Sequence, residues 1–441
     1  MPKLRYLLRL INAFFSRYKG LILISFIFGL LIFLILYYLL PKIVNTKQIS
    51  IGYVGRYTID TLPHNITKDF TSGLVEVTLV GNLTTGIAKS WKTDDGGKTW
   101  VFDLKDDLTW HDGKPLTSKD LQFAIEDVEF DIVDDHKIAF TLKKPYIPFP
   151  VLLNKPIYKK GLIGIGDWVV KRSYFRYDLL ERLILKNDGQ TKIIKFYPTE
   201  EEARLAYKLG EINKLIGISK PDDFKEYKNT KITENVVKNR VITVFFNIND
   251  AYLSNKNFRL ALNYSIDKNK TGKRAISPIN PDSRYFNPQV KSYDYDLERA
   301  KELLKNSDVK LPDDYKLRLV STPGLLEIAD EISKAWNELG IKTEVLVTSV
   351  IPEDYNAFLT IFDIPDDPDQ YSLWHSTQEG TNITHYKNLR IDKLLEDGRV
   401  ETDLNERQKI YLDFQRFLVE DSPAIFLIHP KSYDIIRYGF E

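Results

Sequence analysis

The sequence has no cysteine, a single methionine and only six histidines among its 441 residues. Without cysteine the chain can form no disulfide bond, thiolate metal site or cysteine nucleophile, and no lipid can be attached to a cysteine behind a signal sequence. The histidines are scattered: His375 and His385 stand ten residues apart without a partner at metal-ligand spacing. We therefore expect neither a metal nor a cofactor.

Net charge is nearly absent as well, because 62 basic side chains are balanced by 61 acidic ones. No bulk charge favours a nucleic-acid partner, and a hydrophobic content of 43% is typical of globular proteins. Enzyme signatures are also missing, including the Gly-x-Ser-x-Gly elbow and the His-Glu-x-x-His helix. GGKT at residues 96–99 resembles the end of a phosphate-binding loop, but Lys92 stands where its first glycine belongs. We expect no enzyme.

One long hydrophobic run stands out, LILISFIFGLLIFLILYYLL at residues 21–40. It carries no charge and is long enough to cross a membrane as a helix. Basic residues precede it and the first acidic residue is Asp60, which predicts a cytoplasmic N-terminus. The alternative is a cleaved signal peptide, whose hydrophobic core is usually shorter and ends in small residues. We interpret residues 1–45 as cytoplasmic N-terminus and membrane anchor, with the remainder outside the cytoplasm.

The remainder is too long for one core, and its strand and helix patterns alternate, which predicts an α/β fold of several domains. Residues 94–97, DDGG, predict a hairpin between Trp91 and Leu104. Thr117 with Asp120 resembles a capping box, so we predict a helix that begins at Ser118. Further strands are predicted at 49–54, 137–142, 192–197, 241–247, 316–320, 342–347, 359–362 and 424–428. Further helices are predicted at 200–209, 257–266, 296–305, 326–339 and 406–420.

Residues 361–374, IFDIPDDPDQYSLW, combine four aspartates and two prolines with the large aromatic residues Tyr371 and Trp374. One interpretation is a solvated acidic loop. The other is a cleft wall in which a carboxylate receives a cationic group while Tyr371 and Trp374 supply aromatic surface. A calcium loop is excluded, because its glycine and its terminal glutamate are missing. The residues alone leave the first two interpretations open.

Residues 87–125, IAKSWKTDDGGKTWVFDLKDDLTWHDGKPLTSKDLQFAI, resemble the N-terminal signature of the family 5 extracellular solute-binding proteins. These are the dipeptide-, oligopeptide- and nickel-binding receptors of ABC importers. Other segments resemble family motifs in the same order: 164–168 (GIGDW), 209–213 (LGEIN), Phe246 with Asn247, 258–267 (FRLALNYSID), 295–304, and Asn382 with Tyr386 and Asp392.

The resemblance implies a two-lobed periplasmic-binding-protein-like fold of type II, preceded here by one transmembrane helix. The first lobe is expected at 46–248, including a hairpin–helix unit at 87–128 with a purely structural role. The second lobe is expected at 249–421, and residues 422–441 are expected to return to the first lobe. The segment 123–145 is far shorter than in larger members, which implies a trimmed cleft wall.

The implied function is a membrane-anchored receptor that captures peptides in a cleft and delivers them to ABC permease and ATPase subunits. A membrane-tethered enzyme or sensor that reuses the fold is the alternative. In peptide-binding members an aspartate of an Asp-Tyr-Pro-Asp-Pro loop holds the ligand's amino terminus. The loop has one extra residue here, so Asp363 is the first candidate and Asp366 the second. The other expected ligand-binding residues are Phe246, Asn247, Tyr371, Trp374, Asn382 and Tyr386.

Overall fold

A computed structural model of the chain describes residues 17–21, 23–34, 48–78, 81–269, 272–351 and 353–440. Helix α1 is Arg17–Leu34, with a mean hydropathy of 1.9 and no burial against the rest of the protein. By length and composition it is able to cross a membrane, although a signal sequence near an N-terminus has the same features. The predicted anchor helix at about 21–40 therefore overlaps α1, and its residues 35–40 lie outside the described part.

The remaining elements alternate as predicted. The strands are β1 Gln48–Val54, β2 Val75–Val77, β3 Leu83–Thr85, β4 Ala88–Lys92, β5 Thr99–Leu104, β6 Val128–Asp134, β7 Lys137–Leu142, β8 Val169–Arg176, β9 Leu179–Asn187, β10 Gln190–Tyr197, β11 Lys214–Ile218, β12 Thr230–Val236, β13 Arg240–Phe246, β14 Lys273–Arg274, β15 Leu317–Ser321, β16 Thr343–Val347, β17 Ala357–Asp363, β18 Ala424–His429 and β19 Lys431–Arg437. The helices after α1 are α2 His64–Phe70, α3 Glu200–Lys208, α4 Lys256–Tyr264, α5 Leu297–Lys305, α6 Leu326–Glu338, α7 Tyr371–Trp374, α8 Leu389–Val400 and α9 Leu404–Asp421.

Two large sheets organise the chain. The first has seven strands in the order β12-β19-β11-β1-β10-β9-β8, and β1 runs parallel to both β10 and β11. A four-stranded sheet, β4-β5-β7-β6, and the β2–β3 pair accompany it. The second large sheet has six strands in the order β14-β18-β13-β17-β15-β16. We call the seven-stranded sheet with the small sheets, α2 and α3 the first lobe, and the six-stranded sheet with α4–α9 the second lobe.

Strand β13 is the buried centre of the second lobe. All side chains from Val241 to Phe246 are buried, and they alternate between two cores on opposite faces of the sheet. Phe246 packs beside Trp336 on one face, whereas Phe245 packs beside Trp374 on the other. Such a continuous apolar run is what a strand covered on both faces requires.

The chain therefore passes between the two large sheets at 236–240 and returns at 429–431. These crossings differ from the predicted boundaries after residues 248 and 421, because β13 and β18 pair within the six-stranded sheet. Strand β19 does pair with β11 and β12 of the first lobe. Phe246 and Asn247 consequently belong to the second lobe rather than the first.

The hairpin of the 87–128 unit forms as predicted, whereas its helix does not. Strands β4 and β5 pair antiparallel, and Asp95 Oδ1 accepts hydrogen bonds from the backbone N–H groups of Lys98 at 3.0 Å and Thr99 at 2.7 Å. The capping box at Thr117 starts only the 3₁₀ turn Ser118–Asp120.

After that turn the chain is extended, so the predicted helix from Ser118 is wrong. Leu121, Phe123 and Ile125 face the protein at alternate positions, a period of two that the sequence allows as readily as the helical period. The Phe123 ring lies 5.2 Å from Phe130 and 5.1 Å from Phe140, centre to centre. This stretch places Phe123 in the aromatic cluster and leads through a turn at residues 126–127 into β6.

Candidate functional site

A cavity of about 650 Å³ lies between the two lobes. Its first-lobe wall comes from α2 and from segments near residues 77–81 and 154–156, and its second-lobe wall from 279–283 and 364–368. The crossing segment 236–239 also lines it. Helix α2 follows β1, and the 364–368 segment follows β17. The cavity thus lies beyond the carboxyl ends of central strands in both lobes, where open α/β sheets usually bind ligands.

The acidic loop 361–374 reaches this cavity, but its four aspartates have different surroundings. Asp363 is the last residue of β17 and lies directly opposite Arg240 of β13 in the strand ladder. Its Oδ1 is 2.6 Å from Arg240 Nε, and 70% of the side chain is exposed. Asp363 does not line the cavity. Asp363, the first candidate for holding the ligand's amino terminus, is therefore already paired with an arginine on the protein surface.

Two other aspartates hold the loop in place. Asp367 forms a two-pronged ion pair with the buried guanidinium of Arg407, at 2.6 and 2.9 Å. Asp369 Oδ2 lies 3.2 Å from Arg399 Nε and accepts a hydrogen bond from the hydroxyl of Tyr146 at 3.1 Å. Burial raises the pKa of the Asp369 carboxyl. Both residues are thus committed to contacts within the protein.

Asp366 is the remaining aspartate, and it lines the cavity. Its Oδ2 accepts a hydrogen bond from Asn154 Nδ2 of the first lobe at 3.3 Å. Among the described residues, no lysine or arginine forms an ion pair with it. The carboxylate keeps contact with solvent in the cavity, yet the two lobes surround it closely enough that burial raises its pKa. Asp366 is therefore a partly desolvated carboxylate without a cationic partner.

Other charged groups share the cavity wall. His64, the first residue of α2, has its Nε2 3.0 Å from Glu76 Oε2, and the hydrogen bond with Glu76 raises the pKa of His64. Lys68 and Lys155 also line the cavity, and within the described parts of the chain neither forms an ion pair. The cavity thus presents an unpaired carboxylate together with unpaired ammonium groups.

The aromatic residues expected to bind ligand lie elsewhere. Trp374 is fully buried and donates from Nε1 to Gln370 Oε1 at 2.9 Å, and Phe246 is buried against Trp336. Tyr371 stacks on His375 with ring centres 4.0 Å apart. None of these side chains lines the cavity. Their tertiary role is packing.

The expected polar residues also make contacts within the protein. Asn247 donates from Nδ2 to the Tyr355 carbonyl at 3.1 Å, and Asn382 donates to the Tyr386 carbonyl at 2.8 Å. Both bonds fix loops near β13 and the α7–α8 connection. The Tyr386 hydroxyl donates to Asp421 at 2.6 Å, and burial raises the pKa of Tyr386. Of the eight expected ligand-binding residues, Asp366 alone lines the cavity.

The sequence did not single out His64, Lys68, Asn154 or Lys155. They stand in two segments about ninety residues apart, so only the folded chain brings them together. No cluster of three or more histidine, cysteine, aspartate or glutamate side chains suited to a metal occurs within the described ranges. The cavity wall offers charged side chains and hydrogen-bonding groups to a ligand.

Comparison with known proteins identifies the family. The model of the bacterial extracellular solute-binding proteins, family 5, middle region, matches residues 82–171 and 190–382, which is more than half of the chain. The chain belongs to this family, so the predicted resemblance is confirmed. It is a solute-binding protein of the ABC importer type, with the predicted two-lobed α/β fold.

Individual relatives cover most of the chain. The probable D,D-dipeptide-binding periplasmic protein DdpA of Escherichia coli is 23% identical over 79% of this chain and 79% of its own length. The oligopeptide-binding protein AppA of Bacillus subtilis is 24% identical over 86% of this chain and 84% of its own length. The crystal structure of the ABC transporter substrate-binding protein CtaP of Listeria monocytogenes superposes with a TM-score of 0.76 at 23% identity, covering 89% of this chain and 94% of that one.

Proposed function

We propose that this chain is the membrane-anchored receptor of a peptide importer, and that Asp366 receives the amino terminus of a short peptide held between the lobes. The observation that carries this proposal is the contrast within one loop. Asp363, Asp367 and Asp369 each pair with an arginine, whereas Asp366 lines the cavity and pairs with no arginine in the part of the chain that the structure describes. A carboxylate kept without its own cation suits a ligand that brings one.

The other end of a peptide also has suitable partners. Lys68 and Lys155 line the same cavity and form no ion pair with a carboxylate of the described residues, so they suit a ligand carboxylate. Asn65 and Asn239 add amide groups for hydrogen bonds to a peptide main chain. Cavities of roughly 300–1,000 Å³ hold drug-sized ligands, which corresponds to a peptide of about two to four residues. The names of DdpA and AppA, which specify dipeptide and oligopeptide binding, support the same ligand class.

Calorimetry with a tripeptide, free and N-acetylated, tests this assignment on the full-length protein in detergent. Asp366→Asn keeps the shape but deletes the charge, so we expect it to weaken binding of the free peptide by about 2–5 kcal/mol. Acetylation should weaken binding to the wild type and change little in Asp366→Asn, because the same interaction is already lost.

The matched control is Asp363→Asn in the same loop. Asp363 is surface-exposed and paired with Arg240, so the change should alter affinity by about 1 kcal/mol or less. If Asp363→Asn gives the larger loss of peptide affinity, Asp366 is not the residue that holds the amino terminus of the peptide. If the wild type binds acetylated peptide as tightly as free peptide, capture of the amino terminus is excluded.

The membrane anchor is the second component of the proposal. Helix α1 is preceded by basic residues, which supports a cytoplasmic N-terminus with both lobes outside. A reporter enzyme fused after Glu441 should be active only outside the cytoplasm, and the mature protein should retain Met1 or Pro2. Recovery of a processed N-terminus near Pro41 would replace the anchor by a cleaved signal peptide.

A further inference from the structure

One end of the first lobe points away from the cavity. Strand β1 begins at Gln48 beside the turn between β9 and β10, and β11 begins beside Ile51. Strand β12 begins where β19 ends, because Thr230 lies opposite Arg437. The cavity and both crossings to the second lobe lie beyond the carboxyl end of β1. We give the name basal surface to the segments that meet at the amino end of β1, which are Gln48 and residues 186–190, 208–214, 227–230 and 437–439.

A short tether joins the basal surface to the proposed membrane anchor. The tether is residues 41–47, between the hydrophobic run and Gln48. Even fully extended, these residues reach at most about 25 Å, whereas the seven residues of β1 alone measure about 23 Å. A first lobe turned over, with its cavity end on the bilayer, would need the tether almost fully stretched. The tether therefore favours the basal surface as the side that meets the membrane.

The charge of the basal surface is complementary to anionic lipid. Its segments contain five basic and two acidic side chains, an excess of three in a chain whose whole net charge is +1. Lys186 and Lys228 are exposed and Lys214 is half-buried, and within the described residues none of these lysines forms an ion pair. Three ammonium groups are thus available to lipid phosphates, the contact that draws basic segments to membranes.

Apolar side chains are exposed on the same surface. Leu209 is 67% exposed just after α3, and Tyr438 is 51% exposed just after β19. Tyrosine lies preferentially between hydrocarbon and headgroups, and leucine beside lysine is typical of segments that lie in that layer. The acidic side chains do not cancel this pattern, because Glu211 is paired with Lys195 at 3.3 Å.

We propose that the basal surface binds the anionic headgroup layer of the membrane that holds α1, and that this contact keeps the cavity end of the first lobe away from the bilayer. The inference rests on the proposed membrane anchor and is independent of the ligand that Asp366 receives. A receptor held in this way presents its cavity to arriving solutes. The second lobe remains able to move, because only the first lobe contacts lipid.

The β8–β9 hairpin is the competing surface at the cavity end of the first lobe. Its turn lies near Tyr57, which follows β1, because the Leu180 N–H donates to the Tyr57 carbonyl at 2.7 Å. Arg172 and Arg176 are exposed in this hairpin, and Tyr177 is 94% exposed. Composition alone would suit lipid at either end of the lobe, so the reach of the tether decides between the two surfaces.

Energy transfer to dye-labelled lipid headgroups tests the inference on the full-length protein in nanodiscs. Because the chain has no cysteine, a single dye can be attached at Asn229→Cys on the basal surface or at Asp178→Cys in the β8–β9 turn. In discs that contain phosphatidylglycerol, transfer from residue 229 should exceed transfer from residue 178 roughly twofold or more, since the labels lie at opposite ends of a sheet about 23 Å long. In discs of phosphatidylcholine alone this difference should shrink.

The triple variant Lys186→Gln, Lys214→Gln, Lys228→Gln should lower transfer from residue 229 in the anionic discs to its value in neutral discs. Each lysine near an anionic surface is worth roughly fivefold in the ratio of attached to detached molecules. Raising the salt concentration should produce the same loss in the unsubstituted surface, which keeps the test decisive if the triple variant fails to fold.

The matched control removes the same charge from the competing hairpin, in Lys171→Gln, Arg172→Gln, Arg176→Gln, and should leave transfer from residue 229 unchanged. Equal transfer from the two labels, equal transfer in neutral and anionic discs, or an equal loss in the two triple variants would overturn the inference while the membrane anchor stands. A mature protein that is cleaved near Pro41 and does not enter the discs would overturn the membrane anchor and this inference together.

Discussion

The 87–128 unit of the first lobe and the acidic loop of the second lobe carry the two most distinctive stretches of the sequence, and they use their polar groups differently. In the first-lobe unit polar groups bond within the same lobe: His111 Nε2 lies 2.7 Å from the Gly166 carbonyl oxygen, and Asp120 accepts from the Thr117 N–H at 2.9 Å. In the acidic loop three aspartates are paired, and Asp366 is left facing the cavity. The distinctive motif of the first lobe thus stabilises the fold. The acidic loop, in contrast, holds one carboxylate at the cavity wall without an ion-pair partner among the described residues.

The largest expected effect concerns the buried pair that fixes the acidic loop. Arg407→Ala leaves the Asp367 carboxylate largely buried without its cation, so the free energy of unfolding should fall by about 3–5 kcal/mol. Urea unfolding followed by tryptophan fluorescence measures this loss. Peptide affinity should fall too, because Asp366 adjoins the residue that Arg407 holds.

The comparable change at the first-lobe unit is Lys159→Ala, which removes a lysine that packs against the unit from outside it. Lys159 Nζ lies 3.3 Å from Asp120 Oδ1 and over the Trp110 ring, but a quarter of each charged side chain is exposed. The free energy of unfolding should therefore fall by only about 1 kcal/mol, with unchanged peptide affinity. Similar losses in the two variants would contradict the view that the acidic loop is held by one dominant buried pair.

A smaller effect is expected from pH, and it sharpens the contrast between the paired aspartates and Asp366. Burial raises the pKa of the Asp366 carboxyl above its ordinary 3.8. Only the ionised carboxylate attracts an ammonium, so the contribution of Asp366 to affinity should be constant well above this raised pKa and should fall as the pH decreases through it. The decline approaches about tenfold per pH unit until the lower pKa of the complex is reached. Calorimetry with a tripeptide from about pH 8 to about pH 4 measures the profile.

Protonation of His64 should add a further decline in peptide affinity, at a higher pH than the decline caused by Asp366. Its hydrogen bond with Glu76 raises the pKa of His64, with Lys68 and Asp366 as further charged neighbours. As the pH falls, His64 therefore becomes positive before Asp366 is protonated, and its charge opposes the ligand ammonium. His64→Gln should remove the first decline and keep the second. If the second decline in affinity persists in Asp366→Asn, a group other than Asp366 causes it.

Much of the fold could be predicted from local patterns. The Asp-Asp-Gly-Gly turn, the apolar run of β13 and the side-chain caps of α4, α5 and α9 act within a few residues, and the elements they predict form with small shifts at their ends. Helix α8 was not predicted, although Asn388 caps it. Its Gly398 weakens the helical pattern, but an added Cβ there would lie 2.7 Å from the Tyr411 ring, so packing against α9 requires the glycine.

The sequence by itself determined the family, the alternation of strands and helices, and the loop in which the candidate anchor lies. It also predicted the apolar N-terminal helix. All of these features depend on the order of neighbouring residues. Only the tertiary structure distinguishes the surroundings of Asp363 from those of Asp366: strand pairing places Arg240 opposite Asp363, whereas Asn154 of the first lobe contacts Asp366. The partners that occupy one carboxylate and leave the other available come from segments more than a hundred residues away, and no local pattern encodes that distance.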